Sequence, residues 1–294
     1  MLLLAALSLA SAQVTVEVTQ DQDQYLTGEA LPVAVRITNR SGQALKLGAA
    51  DDWLMFSMES REGRVVPSIG DPRVRGEFTL ESSRVAIKHV DLAPYFSADQ
   101  SGRYQIVASV RIPGWDREVA SPPRYFDIVD GSTLWEQDFG VPASSLTNAA
   151  PEVRKYSLQQ ANYIRGQLRL YLRLSDASGR TLRVLPVGPV LSFSRPEPRV
   201  DSASILHLLY QNGARSFSYT AYNTDGELIA RQTYDYAESR PRLGVKQNGE
   251  VVVMGGARRI TLNDVPPPKS ALTPNLPAPP SPPPKPAPAS SMPQ

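Results

Sequence analysis

The 294-residue chain has no cysteine. That absence excludes disulfides, thiolate nucleophiles and Cys-ligated zinc or iron–sulfur centres together. Only two histidines occur, His89 and His207, far apart in sequence and too few for a histidine-rich metal site. No G-x-S-x-G elbow presents a serine to either of them. Gly255-Gly256 stands without a dinucleotide or P-loop pattern around it, so nucleotide binding has no support and nothing implies a cofactor. No apolar run approaches the roughly 20 residues that a membrane helix needs, and no long stretch shows a helical period. With an overall charge of +2, the chain also lacks the strongly basic balance of a nucleic-acid binder.

What is present begins with the leader. Met1–Ala12 reads MLLLAALSLASA and ends in Ala10-Ser11-Ala12, the small-x-small pattern cleaved by a signal peptidase. The expectation is export, with a mature chain starting at Gln13 and no transmembrane helix once the leader is gone. The leader carries no Lys or Arg before its apolar run, which a start further upstream would supply. The alternative is a short apolar strand. A cysteine-free exported chain fits a bacterial envelope, surface or secreted protein better than an animal secretory one.

The other end, residues 265–294, is nearly half proline (VPPPKSALTPNLPAPPSPPPKPAPASSMPQ). Proline lacks an N–H and fixes φ, so a disordered or polyproline II tail is expected. Charge is unevenly shared between the halves. Residues 13–150 hold 13 basic and 19 acidic side chains, a balance of −6, and residues 151–264 hold 16 and 10, a balance of +6. Such halves attract each other, or the basic half meets an anionic partner.

Both halves read as β structure. In residues 13–139, Val14–Val18 and Leu31–Ile37 alternate with period two. Further strands are expected at Trp53–Met58, Arg64–Pro67, Val85–Val90, Tyr104–Arg111 and Tyr125–Val129, separated by Asn39-Arg40-Ser41-Gly42, Glu62-Gly63 and Ser101-Gly102 turns. Residues 140–150 (GVPASSLTNAA) read as a linker. In residues 151–264, Tyr163–Ser175 turns at Asp176–Gly179 into Thr181–Ser194. Ile205–Gln211, Ser216–Tyr222 and Leu228–Tyr236 follow through Asn212-Gly213 and Asp225-Gly226, and Asn248-Gly249 joins Leu243–Lys246 to Val251–Met254. Repeated Asn-Gly and Asp-Gly turns between alternating runs are a strong hairpin signal. The expected fold class is all-β: a sandwich, a second antiparallel meander or sandwich, and the disordered tail.

Asp99–Ile106 (DQSGRYQI) resembles the approach to strand F of immunoglobulin-like domains. The resemblance implies that Tyr104 makes a tyrosine corner, that Ile106 stands where antibody domains place a cysteine, and that Trp53 is the core tryptophan. Leu31–Leu47 is similar to the opening hairpin of bacterial immunoglobulin-like modules, including a family of small proteinase inhibitors. The basic half resembles β-propeller blades, but its length suits two or three, fewer than close a ring. A compact sheet or sandwich is therefore expected there.

Candidate chemistry is sparse. On the strand Arg165–Arg173, Leu168, Leu170, Leu172 and Leu174 share one face, and Arg165, Gln167, Arg169, Tyr171 and Arg173 the other. Arg165, Arg169, Tyr171 and Arg173 form a stripe able to hold phosphates, carboxylates or sugar rings; the alternative is a wet sheet face with its arginines paired to acids. Asp51-Asp52 and Asp21-x-Asp23 are the local carboxylate pairs a glycosidase would need. Asp21-Gln22-Asp23 lacks the Gly and Glu of a calcium loop, and His207 reads as a hydrogen-bonded sheet histidine. The leading expectation is a non-enzymatic exported binding or scaffolding protein whose partner is an anionic envelope polymer or another envelope protein. A protease-inhibitor-like module and a carbohydrate-active enzyme are the alternatives.

Overall fold

The computed structural model describes residues 14–61, 63–115, 118–141, 151–163 and 166–266. The expected leader, all but two residues of the proline-rich tail, and Arg165 lie outside the described residues. The described chain is nearly all β, with a 3-10 turn at Ala93–Tyr95.

The first unit is two packed sheets. One holds β1 (Val14–Thr19), β3 (Pro32–Asn39) and β7 (Val85–Asp91) in the order β1-β3-β7, all antiparallel. The other runs β2 (Gln24–Leu26), β10 (Arg124–Val129), β8 (Gly102–Val110), β5 (Leu54–Ser60), with β2 parallel to β10 and β9 (Val119–Ala120) alongside β8. β4 (Leu45–Leu47) pairs with β6 (Phe78–Leu80). Alternation decides which side chains go inward. Val16, Val33, Val35 and Ile37 from one sheet meet Leu54, Met58, Ile106, Ala108 and Phe126 from the other in one buried cluster. The stretch Arg64–Pro67, expected as a strand, pairs only through an isolated bridge between Val65 and Glu59.

The second unit also has two principal sheets. A meander of β11 (Ser132–Val141), β12 (Glu152–Tyr163), β13 (Gln167–Asp176) and β14 (Thr181–Val190) forms the first. The second runs β15 (Glu197–Val200), β16 (Leu206–Gln211), β17 (Ser216–Tyr222), β18 (Leu228–Asp235), β21 (Ala257–Arg259). Leu158, Leu170, Leu172 and Leu174 of the meander pack on Leu206, Leu208, Tyr210 and Tyr222. The opposite face of the second sheet (Leu209, Phe217, Tyr219) is covered by the hairpin of β19 (Arg242–Val245) and β20 (Val251–Met254), through Leu243 and Val253.

Two sequence boundaries move. β11 pairs along its length with β12, so residues 132–139, expected in the first unit, belong to the sheet of the second. Of the expected linker, Gly140 and Val141 end β11, and residues 142–150 lie outside the described ones. The four main sheets are arranged like the blades of a four-bladed propeller, with the strands of the first two interleaved along the chain and those of the third and fourth in chain order. Buried clusters join the first to the second and the third to the fourth, and a smaller one bridges the units. Among the described residues no buried cluster links the fourth sheet back to the first.

Candidate functional site

The face of β13 that carries the arginine stripe is where the two units meet. Alternation puts Arg169, Tyr171 and Arg173 on the side away from the leucine core. That side is covered by the segment Gln22–Glu29 of the first unit. Tyr171 is 0% exposed, in a cluster with Ala161 and Val184 of its own sheet and Leu26 and Val129 of the other unit. The expected open stripe is instead the floor of an internal junction.

Most of the polar groups there are hydrogen-bonded, but the buried Tyr171 hydroxyl has no partner. Arg173 is a fork among three acceptors: Nε donates to Gln159 Oε1 at 2.9 Å, Nη1 to Thr181 Oγ1 at 2.7 Å, and Nη2 to the Thr27 carbonyl at 2.7 Å. Only the last bond crosses between units. Arg169 lies 3.9 Å over the Tyr163 ring and donates to Gln22 Oε1 at 2.7 Å. Gln22 passes the contact on, its Nε2 donating to Glu29 Oε1 at 2.8 Å, while the Leu26 N–H donates to Glu29 Oε2 at 2.8 Å. Gln24 Nε2 donates to the Asn162 carbonyl. Gly131 sits where the units touch, and a Cβ there would meet Leu26 Cδ1 at 3.0 Å and Gln159 Cβ at 3.1 Å.

Burial sets the electrostatics of this junction. Desolvation pushes the Glu29 carboxyl above its ordinary value, against the opposing pull of its hydrogen bonds and of Arg169. It pushes the Tyr171 hydroxyl up to about 12, with the Glu29 charge adding to the effect. The Arg173 guanidinium is lowered by the same desolvation, partly offset by Asp130. A buried acid of the acidic half thus faces the arginines of the basic half.

Three of the four paired carboxylates named from the sequence are engaged elsewhere. Asp52 pairs with Arg111, Asp51 with Arg75 at 4.0 Å, and Asp23 with Arg124. His207 is 8% exposed; its Nε2 lies 3.1 Å from Asp201 Oδ2 and its Nδ1 2.8 Å from Tyr219 Oη. Burial raises Asp201, but hydrogen bonds from His207 and from the Ile205 and Ala203 N–H groups outweigh it and hold the carboxyl below the usual range. Burial pushes the Tyr219 hydroxyl up to about 12. The Asp201 carboxylate accepts from His207 Nε2. In the first unit, Tyr104 Oη donates to the Gln100 carbonyl at 2.7 Å, Ile106 is 0% exposed, and Trp53 Nε1 donates to the Val74 carbonyl at 2.7 Å. Among the described residues no group of three His, Asp or Glu side chains could hold a metal ion. No described helix is long and apolar enough to cross a membrane.

No protein-family model matches the chain, and no curated protein matches it. Among solved structures it is similar to Spo0M, a sporulation control protein from Bacillus subtilis, at 11% identity and a TM-score of 0.29, over 60% of this chain and 89% of that one. Likeness at that level carries no statement about this chain.

Proposed function

We propose that this chain is a non-enzymatic binding or scaffolding protein, exported to the bacterial envelope, whose first unit is an immunoglobulin-like sandwich. The junction carries the reading. Its buried side chains are spent on holding two β units in one orientation, which is what a rigid display of loops needs. The immunoglobulin-like assignment is supported by the sheet orders β1-β3-β7 and β2-β10-β8-β5 and by the Tyr104 bond to the Gln100 carbonyl. Export is tested by N-terminal sequencing of secreted material: a chain starting at Gln13 supports it, and one retaining Met1 overturns it. Turnover of any glycoside, ester or peptide in a substrate panel, abolished by an Asp or His substitution, would overturn the non-enzymatic reading.

A second reading, a protease-inhibitor-like module, rests on the long connection between β5 and β6. Val65 and Ile69 there are 71% and 69% exposed, while the backbone is braced by Ile69 N–H to the Tyr95 carbonyl at 2.9 Å and by Val66 in the core. An exposed loop on a fixed frame suits a protease cleft. Titration against bacterial proteases should give stoichiometric inhibition; flat curves remove the reading.

A further inference from the structure

Two Ser-Arg-Pro tripeptides, Ser194-Arg195-Pro196 and Ser239-Arg240-Pro241, lie far apart in sequence and meet at one basin of the second unit. Each leads directly into a strand, β15 at Glu197 and β19 at Arg242. A following proline holds an arginine backbone extended, and the proline ring fixes the next φ. The two strands they lead into are tied together by the Leu243 N–H, which donates to Glu197 Oε2 at 3.0 Å.

The second turn is also clamped from behind by Gly255-Gly256. The Gly256 N–H donates to the Ser239 carbonyl at 3.1 Å. At Gly255 a Cβ would meet Ser239 Oγ at 2.6 Å and the Arg240 carbonyl at 2.9 Å; at Gly256 it would meet Pro241 Cγ at 2.5 Å. Both glycines have φ in the left-handed region, +73° and +65°. The glycine pair therefore lets the backbone seat Arg240 against the sheet, its guanidinium 5.2 Å over the Phe217 ring.

The basin has a volume of about 590 Å³ and is lined by Arg195, Arg240, Arg242, Glu197, Leu243 and Phe193, the last 77% exposed at its rim. Elsewhere in this unit, Arg154, Arg180, Arg258 and Arg259 are each paired with a carboxylate. Among the described residues, Arg195, Arg240 and Arg242 have no such ion pair. Arg183, Arg199, Arg215 and Arg231 have none either, but they do not line this basin. The acid of the lining, Glu197, already accepts the Leu243 N–H.

We propose that this basin binds a multivalent oxyanion, a run of phosphate or carboxylate groups on a polymer or oligomer. Guanidinium forks match both anions bidentately, and a basin of about 590 Å³ with three of them is wider than one such group. The site deepens the binding reading above and rests on it, giving that reading a ligand class.

The test is calorimetric titration of the full chain at low ionic strength with inorganic tripolyphosphate and with trigalacturonate. Arg195→Ala, Arg240→Ala and Arg242→Ala should each weaken binding roughly fivefold, the scale of an exposed charge pair, and the triple variant on the order of a hundredfold if the effects add. Arg84→Ala, an exposed arginine of the first unit, should change nothing. Saturation by only one probe assigns the anion; saturation by both assigns the shared chemistry. Should the triple variant unfold, Arg242→Glu alone keeps the test, since it sits at the surface and should lose both probes. Silence with both probes, a triple or Arg242→Glu variant that binds like the parent, or an equal loss in Arg84→Ala overturns the site. A triple variant still retained on envelope material removes the basin and leaves the binding reading; turnover in the substrate panel removes that reading without touching this titration.

Discussion

Arg173 is the residue on which the junction turns, because one guanidinium serves acceptors on β12, β14 and the first unit. Arg173→Ala leaves the Thr27 carbonyl short of its donor and should cost about 1.5–3 kcal/mol, the range for hydrogen bonds to a charged group. A fall in the urea midpoint checks it. Arg173→Lys keeps the charge without the planar fork and should recover only part of the loss. Glu29 and Asp201 give opposite pH signatures. The Glu29 carboxyl is raised in the fold, so the folded state binds its proton more tightly than the unfolded chain does. Its burden is therefore present above the folded pKa and fades as pH falls toward the ordinary carboxylate value. Asp201 is lowered, so its contribution is present above the unfolded value and is lost as pH falls through the folded one. Chemical denaturation across acid pH should show Glu29→Gln flattening the first trend and Asp201→Asn the second. Profiles that overlay the parent would contradict the assignments.

At the level of strands and turns, the bond from Tyr104 to the Gln100 carbonyl is separable from the packing of its ring. The ring stacks on Phe126 at 5.6 Å, and Tyr104→Phe keeps that contact while deleting the hydroxyl. A loss of about 1 kcal/mol is expected from one hydrogen bond, read as a lower urea midpoint with unchanged far-ultraviolet dichroism. The elements most legible in the sequence are those whose turns carry their own chemistry. Asp176–Arg180, Asn223–Glu227 and Lys246–Glu250 close in the same way: the glycine N–H donates to the first residue of the turn, and Gly179, Gly226 and Gly249 have φ of +84°, +75° and +84°. β11 and β12 were not legible. β12 places Lys155, Ser157 and Gln159 on the side of Arg173 and Ser175, so its alternation is polar where a sequence reading looks for exposed solvent. β2 is only Gln24–Leu26 and has no period to detect. The arginine stripe itself was readable from alternation, but its cover was not, because what lies over a sheet face is set by a segment more than a hundred residues away in the chain.

For the whole molecule, the question is whether the units unfold together. The contacts that bind them are few: the cluster of Leu26, Val129, Ala161, Tyr171 and Val184, and the bonds from Arg169, Arg173 and Gln24. Interfaces of this kind couple domains only while their buried groups stay matched. The junction places Tyr171 at 0% exposure and Leu26 at 1%, so opening it exposes apolar surface along with an unsatisfied arginine network. Cooperative unfolding of the parent is the expected outcome. Gly131→Val should act as a wedge, since even a Cβ meets Leu26 Cδ1 at 3.0 Å and a longer side chain must push the units apart. Combined with Arg173→Ala, it should split one transition into two. The two units can be watched separately, because Trp53 and Trp115 belong to the first and Trp135 to the second. In a Trp135→Phe background, fluorescence follows the first unit while dichroism follows both. Coincident curves in the parent that separate in the double variant support a junction built for rigidity. Curves that already separate in the parent would show two beads on a string and rule out a fixed display of loops.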